Sequence, residues 1–260
     1  MEDIRMRVLL VPTRWESQPV LGRLPGAMPE PGWDVPAWRT GDLLIVEPGI
    51  GPEPTAALLP RIEPLQPRQV WLFGWCGGLT PELGVGDLVL AEATITSAGT
   101  GAPASRLPHQ PPDSLVTQIN RIAESLGRRM IVGPVLTSGK VLSSVEQKRD
   151  GAATGAVAVE MEAGPLARWA VACSLLFVHL RVVLDPLQLP LPPTRLPTDR
   201  QGSVTARDLL LHALTHPTEW PALWNLFHQA RVARRAMADV IAALTQPGGL
   251  LDPQAAGLRN

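Results

Sequence analysis

Seven apolar runs of strand length recur along the chain, at residues 7–11, 42–46, 69–73, 87–91, 130–137, 156–159 and 175–184. Several are continuous rather than alternating, as strands buried on both faces require. Between them the spacing predicts helices at 53–62, 113–126, 145–151 and 161–173. Strands that alternate with helices leave few solutions. The pattern predicts an α/β chain: a single-domain three-layer α/β/α fold with a twisted, mostly parallel central sheet and a C-terminal helical extension. The proline-rich stretch 102–112 reads as an exposed loop.

The chain changes character after Asp185. Pro186, Pro190, Pro192, Pro193 and Pro197 suit neither a helix nor a central strand, so an extended segment is expected there. Helical spacing resumes at Thr205, and Trp220, Leu223, Trp224 and Phe227 fall at i, i+3, i+4 and i+7. That stripe is expected to pack against the domain. Because Arg231, Arg234 and Arg235 follow it, weak contact with a membrane surface is the alternative. The expected divisions are an α/β domain over 1–204, C-terminal helices packed on it over 205–248, and a flexible tail over 249–260.

Bulk properties exclude several partners. The net charge of −1 provides no field for nucleic acid, and a hydrophobic fraction of 45% suffices for a large core. The two cysteines, Cys76 and Cys173, lie in small or apolar surroundings and read as buried, reduced thiols. The first residues, Met1 to Arg5, are charged, and the longest apolar run, 170–184, contains His179 and Arg181. A soluble, cytoplasmic protein is expected. His109 reads as a loop residue and His179 as a core residue, and no spacing suggests a metal.

Within this frame two acidic stretches stand out. Val159-Glu160-Met161-Glu162-Ala163-Gly164 and Leu180-Arg181-Val182-Val183-Leu184-Asp185 put three carboxylates where strands run out. Open α/β folds hold ligands there, and a carboxylate in apolar surroundings must be paired, protonated or used. Upstream, Phe73-Gly74-Trp75-Cys76-Gly77-Gly78-Leu79 ends a strand in glycines that let backbone approach a ligand. Gly84-Val85-Gly86-Asp87 reads as a turn into the next strand.

This order, with Gly49-Ile50-Gly51 after the second strand, resembles the nucleoside phosphorylase and nucleosidase superfamily from about Arg7 to Asp185. That group includes purine and uridine phosphorylases and the methylthioadenosine/adenosylhomocysteine nucleosidases. The tail, with Leu191-Pro192-Pro193 and a helix through Pro221-Ala222-Leu223, resembles the hopanoid-associated phosphorylases, which release adenine from adenosylhopane.

The resemblance implies roles for particular residues. Asp185 donates a proton or hydrogen bond to purine N7, which stabilises the charge that develops on the departing base. Glu162 accepts from the ribose 2′ and 3′ hydroxyls and Met161 packs against the sugar. Glu16 is the nearest candidate for the glutamate that positions attacking water. Trp75, Gly77, Gly78, Val141 and Leu142 fall in the substrate-contacting segments, the last two within the base segment 137–143. Gly51 and Arg14 fall at the phosphate or water site. Glu160 receives no role.

Three departures qualify the resemblance. Leu72 and Trp75 stand near the places where phosphorylases carry an arginine and a hydroxyl residue for phosphate, leaving Arg14 or Arg39 to supply charge. Lys140 stands in the base segment where a small or acidic residue is expected. The chain has no tyrosine to stack on a base. The expected function is therefore cleavage of the N-glycosidic bond of a 5′-substituted purine nucleoside, with water favoured as the acceptor. Phosphate-dependent cleavage, including action on adenosylhopane, is the first alternative, and a non-catalytic nucleoside-binding protein the second. No cofactor is implied beyond inorganic phosphate as a co-substrate. The expected partners are a small-molecule nucleoside and further copies of the chain in a homo-oligomer.

Overall fold

A computed structural model describes residues 6–96, 105–189, 191 and 220–253. Ten strands and six helices are present among them. β1 (Arg7–Leu10) leads into α1 (Arg14–Leu21), an antiparallel meander of β2 (Met28–Pro29), β3 (Ala37–Thr40) and β4 (Leu43–Val46), and α2 (Pro52–Ile62). β5 (Gln69–Gly78), β6 (Leu88–Thr96) and β7 (Ser105–Pro108) precede α3 (Asp113–Ser125). β8 (Met130–Thr137), α4 (Val145–Ala152), β9 (Ala158–Glu160), α5 (Ala163–Ala172), β10 (Leu176–Asp185) and α6 (Trp220–Thr245) follow.

The sheet separates two helical layers, and the sequence alternation of β1 explains how. Leu9 and Val11 pack with side chains of α1, α3 and α6, such as Val20, Ile119 and Met237. Val8 and Leu10 face the other way, onto Leu58 and Ile62 of α2 and Leu166 and Ala170 of α5. Strands covered on both faces have no polar side to show, hence their continuous apolar runs.

One half of this sheet closes on itself. β5 pairs with β10 in parallel, β10 with β6 antiparallel, β6 with β8 and β8 with β9 in parallel. The ring shuts where β9 meets β5, through Gly77↔Val159 and Gly78↔Ala158. Its strands contribute small buried side chains, Cys76, Val89, Ala91, Val135, Ala158 and Val183, to one cluster. A five-stranded ring has little internal room, so small residues fill it.

The structure corrects several expectations. The strand expected over 69–73 runs on through the glycines: β5 reaches Gly78 and stays paired with β10 as far as Gly77. Part of the proposed loop 102–112 is β7, which pairs with β6, while residues 102–104 lie outside the described residues. Residues 14–21, where no helix is predicted, form α1. Cys76 is buried but Cys173 is exposed.

The aromatic stripe of α6 does not pack as a unit. Leu223 is buried, whereas Trp224 is 76% exposed and Trp220 and Phe227 are also exposed. The core-facing side of α6 lies further along, at Ala233, Ala236, Met237, Val240, Ile241 and Leu244. Of the arginines after the stripe, Arg234 stacks over Trp15, 5.4 Å from the ring centroid, and so faces α1. The segment expected to fray from residue 249 is held as far as Pro253. Leu251 and Asp252 are buried, and Arg7 donates to the carbonyls of Leu250 (3.1 Å) and Asp252 (2.6 Å). Among the described residues no helix is long and apolar enough to cross a membrane. The expected helical start at Thr205 and the prolines at 190, 192, 193 and 197 lie outside the described residues.

Candidate active site

A cavity of about 230 Å³ opens beside the ring, where β5, β9 and β10 end. Asp185, Glu16, Glu162, Met161, Trp75, Gly77, Val141 and Leu142 all line it, as do Glu160, Cys76 and Lys140. These residues come from points spread along most of the chain, and the ring is what gathers them.

Glu162 is the residue before α5 and is almost wholly buried. One of its oxygens accepts from the Gly51 amide at 3.1 Å, and the other receives the Arg181 guanidinium at 3.1 Å. Burial raises its proton affinity, Arg181 opposes this, and the balance stands at about 7. Gly51, expected at the phosphate or water site, thus holds the diol-binding candidate. Glu160, which had no role, anchors the start of α5. Its Oε2 accepts from the amides of Glu162 (2.8 Å) and Ala163 (2.9 Å), and its Oε1 from the Thr137 hydroxyl (2.5 Å). A carboxylate at unsatisfied helix-start amides caps the helix.

Arg181 joins these groups from within a strand otherwise apolar around it. It is fully buried, donates through Nε to His179 Nε2 (2.9 Å) and through Nη1 to the Trp75 carbonyl (3.2 Å), and pairs with both Glu160 and Glu162. Burial and the neighbouring cation hold His179 neutral, with its proton affinity well below the usual imidazole range. Glu16 completes the cluster from α1. It closes a capping box with Thr13 and turns its other oxygen to the Trp75 amide at 2.6 Å. Desolvation raises its proton affinity as well.

Two glycines of β5 exist for these neighbours. A Cβ on Gly74 would lie 2.6 Å from Glu16 Oε1 and 2.7 Å from Arg181 Nη1. A Cβ on Gly77 would lie 3.1 Å from Val159 Cγ1 and 3.2 Å from Asp185 Oδ2. The strand is glycine-rich so that charged side chains can cross it.

Asp185 ends β10, and Lys148 Nζ of α4 stands 2.8 Å from its Oδ2. Burial pushes this carboxyl up while Lys148 draws it down, to a net value of about 6. Burial also pushes the adjacent Cys76 thiol well up, which keeps it neutral.

Other expected residues lie aside. Arg14 is exposed on the first turn of α1 and is not among the residues lining the cavity. Arg39 forms a forked pair with Glu30 (2.7 and 2.9 Å). Gly78 sits one residue deeper, paired with Ala158. Sequence reasoning missed Lys148 altogether and left Arg181 without a task. A signal existed for each: an arginine inside a long apolar run must be paired, and Lys148 is one of only two lysines in the chain.

Comparison with known proteins gives three findings. The family model of the phosphorylase superfamily matches residues 37–210. A search of curated proteins returns no match. Solved structures superpose over most of the chain. The 5′-methylthioadenosine/S-adenosylhomocysteine nucleosidase of Neisseria meningitidis, in complex with methylthio-immucillin-A, is 16% identical over 92% of this chain and 97% of its own (TM-score 0.65). The corresponding nucleosidase of Campylobacter jejuni is 17% identical over 91% and 98% (TM-score 0.63). Futalosine hydrolase of Helicobacter pylori is 15% identical over 93% and 99% (TM-score 0.63). At these identities the likeness is one of fold.

Proposed function

The chain belongs to the phosphorylase superfamily, and on that footing we propose that it is an enzyme that hydrolyses the N-glycosidic bond of a 5′-substituted purine nucleoside. One observation carries this reading. The cavity gathers a carboxyl that keeps its proton to about pH 6, a buried carboxylate at a helix start, and a third carboxyl on α1. These are the parts that glycosidic cleavage needs: an acid for the leaving base, a bidentate acceptor for the ribose diol, and a base for water.

In this reading Asp185 gives its proton to N7 as the C–N bond breaks. Glu162 holds the two ribose hydroxyls, and its charge stabilises the sugar cation that develops. Glu16 takes a proton from the attacking water. Met161 covers the sugar, and Val141 and Leu142 flank the base.

Charge supports water over phosphate. Glu16, Glu160 and Glu162 all surround one guanidinium, whose three nitrogens already donate to protein groups. A phosphate anion would enter a field of carboxylates whose one buried guanidinium is already committed, with Lys140 in the base segment the one cation among the residues lining the cavity. A neutral water and a cationic transition state suit that field. The half-exposed Ile50 and Val141 beside the opening favour an apolar 5′ substituent.

The test is chromatographic assay of purine release from adenosine and from its 5′-alkylthio derivatives, with and without phosphate. Release in phosphate-free buffer is expected, fastest with the apolar 5′ groups. Strict dependence on phosphate would overturn the hydrolytic reading. Absence of release from every nucleoside would overturn the enzyme.

A further inference from the structure

The chain has 23 basic residues of the lysine and arginine type, and only Lys140 and Lys148 are lysines. Lys148 lies on α4 with no exposed surface. Its ammonium donates to the main-chain carbonyls of Asp185 (3.1 Å), Pro186 (2.8 Å) and Leu189 (3.0 Å), besides standing 2.8 Å from Asp185 Oδ2. The chain leaving β10 therefore wraps around a single nitrogen. A compact ammonium can address acceptors converging from several sides, whereas a planar guanidinium cannot.

The other end of the connection is equally fixed. Ser144 caps α4, and Gln147 Oε1 accepts from the amides of Ser143 (2.9 Å) and Ser144 (3.2 Å). The Leu191 amide donates to the Ser143 carbonyl at 2.9 Å. A Cβ on Gly151 of α4 would come within 3.0 Å of Leu142 Cδ1, so the helix also lies against the base segment. The acid's loop, α4 and the base segment form one hydrogen-bonded unit, with Lys148 as its joint.

We propose that Lys148 is a positioning residue that sets the carboxyl of Asp185 against the base-binding segment, a reading that rests on the role given to Asp185 above. The ammonium occupies Oδ2, leaving Oδ1 to meet the base. It also opposes the burial that would otherwise fix the proton on Asp185, keeping that proton transferable. The other ionisable groups around the cavity are Cys76 on β5, Glu160 and Glu162 at the β9–α5 junction, Glu16 on α1, and Lys140 in the base segment. None of them has an ion pair with Asp185.

The experiment compares Lys148→Met, Lys148→Gln and Lys148→Arg with wild type. Lys148→Gln keeps donors for the carbonyls without the charge, so it addresses the case in which Lys148→Met does not fold. Both neutral variants should lower kcat about 10- to 100-fold, the scale of a small misplacement at the reacting group. They should also move the alkaline limb of the kcat profile to higher pH, because burial then acts on Asp185 unopposed. Lys148→Arg should leave that limb in place while kcat stays low. Wild-type kcat in the neutral variants, or a lowered kcat with an unmoved limb, would overturn the proposal. Infrared titration of the Asp185 carboxyl, identified by its loss in Asp185→Asn, reads the same shift without turnover. An unshifted carboxyl in Lys148→Gln overturns the proposal even if no substrate is known. A shifted carboxyl in a protein that releases no base retains the joint and overturns only the parent reading.

Discussion

Two buried ion clusters occupy opposite ends of the same sheet, and they differ in how their charges are matched. At the amino-terminal end Asp42 accepts from both Arg7 and Arg68, and Arg7 also donates through Nη1 and Nη2 to the carbonyls of Leu250 and Asp252. At the carboxyl-terminal end one guanidinium, Arg181, faces Glu16, Glu160 and Glu162. The first cluster has cations to spare for carbonyls and acts as a staple that fastens the chain after α6. The second has more carboxylates than cation, and burial keeps protons on Glu16 and Glu162 above the usual carboxylate range. Ion pairs with cation to spare hold a fold together; ion pairs short of cation hold protons ready to move.

Breaking each cluster tests this contrast. Arg181→Met leaves Glu160 buried without its cation and should cost about 3–5 kcal/mol in urea denaturation, with loss of activity in whatever folds. Arg7→Met should cost less, because Arg68 still reaches Asp42 at 3.0 Å, and kcat/KM per folded molecule should stay at the wild-type value. Lost turnover in Arg7→Met would dissolve the distinction. Within the overloaded cluster's neighbourhood, Asp185→Asn should lower kcat by about 10²-fold or more. In the wild type, Asp185 must hold a proton against a value of about 6 and Glu162 must be ionised against about 7. The pH–rate profile should therefore peak between them, and Asp185→Asn should lose the alkaline limb.

Two smaller effects sharpen the comparison. Gly74→Ala forces a methyl between Glu16 and Arg181 and should cost about 1–3 kcal/mol by overpacking, read as a lower urea midpoint. An unchanged midpoint would mean that the cluster yields freely. The smallest effect is on stability against pH. Glu162 binds its proton more tightly folded than unfolded, so its contribution is fully present below about pH 4.5 and declines as pH rises towards about 7. Glu162→Gln should flatten that part of a Tm-against-pH curve, whereas Asp42→Asn should leave the slope there in place.

Much of this was legible in the residues themselves. Period and run length located the strands that carry Asp185 and the Glu160–Glu162 stretch, since strands buried on both faces cannot disguise their apolar continuity. What escaped depended on distant partners. The extent of the strand through Gly74–Gly78 escaped because glycine marks both turns and close approaches; only Glu16, Arg181 and Asp185 across the sheet decide between them. β9 closes the ring through two residue pairs, a link to β5 with no local trace. Lys148 hides in a short helix of polar sequence, and its four acceptors come from the end of β10 and the loop after it, some forty residues later. The aromatic stripe of α6 misled for the opposite reason: it carries the right period, but the sheet meets the helix two turns further on.

The scarcity of lysine has a practical corollary. With Lys148 sealed beneath the loop after Asp185, Lys140 is the one side-chain amine of this protein that solvent reaches, and it stands on the lip of the cavity. Once the terminal amine has been acylated near neutral pH, where lysine is still protonated, an amine-directed reagent applied at higher pH would therefore write its label at a single side-chain address. A dye placed there would sit over the entrance and report, by its own quenching or release, each arrival and departure of whatever the pocket receives.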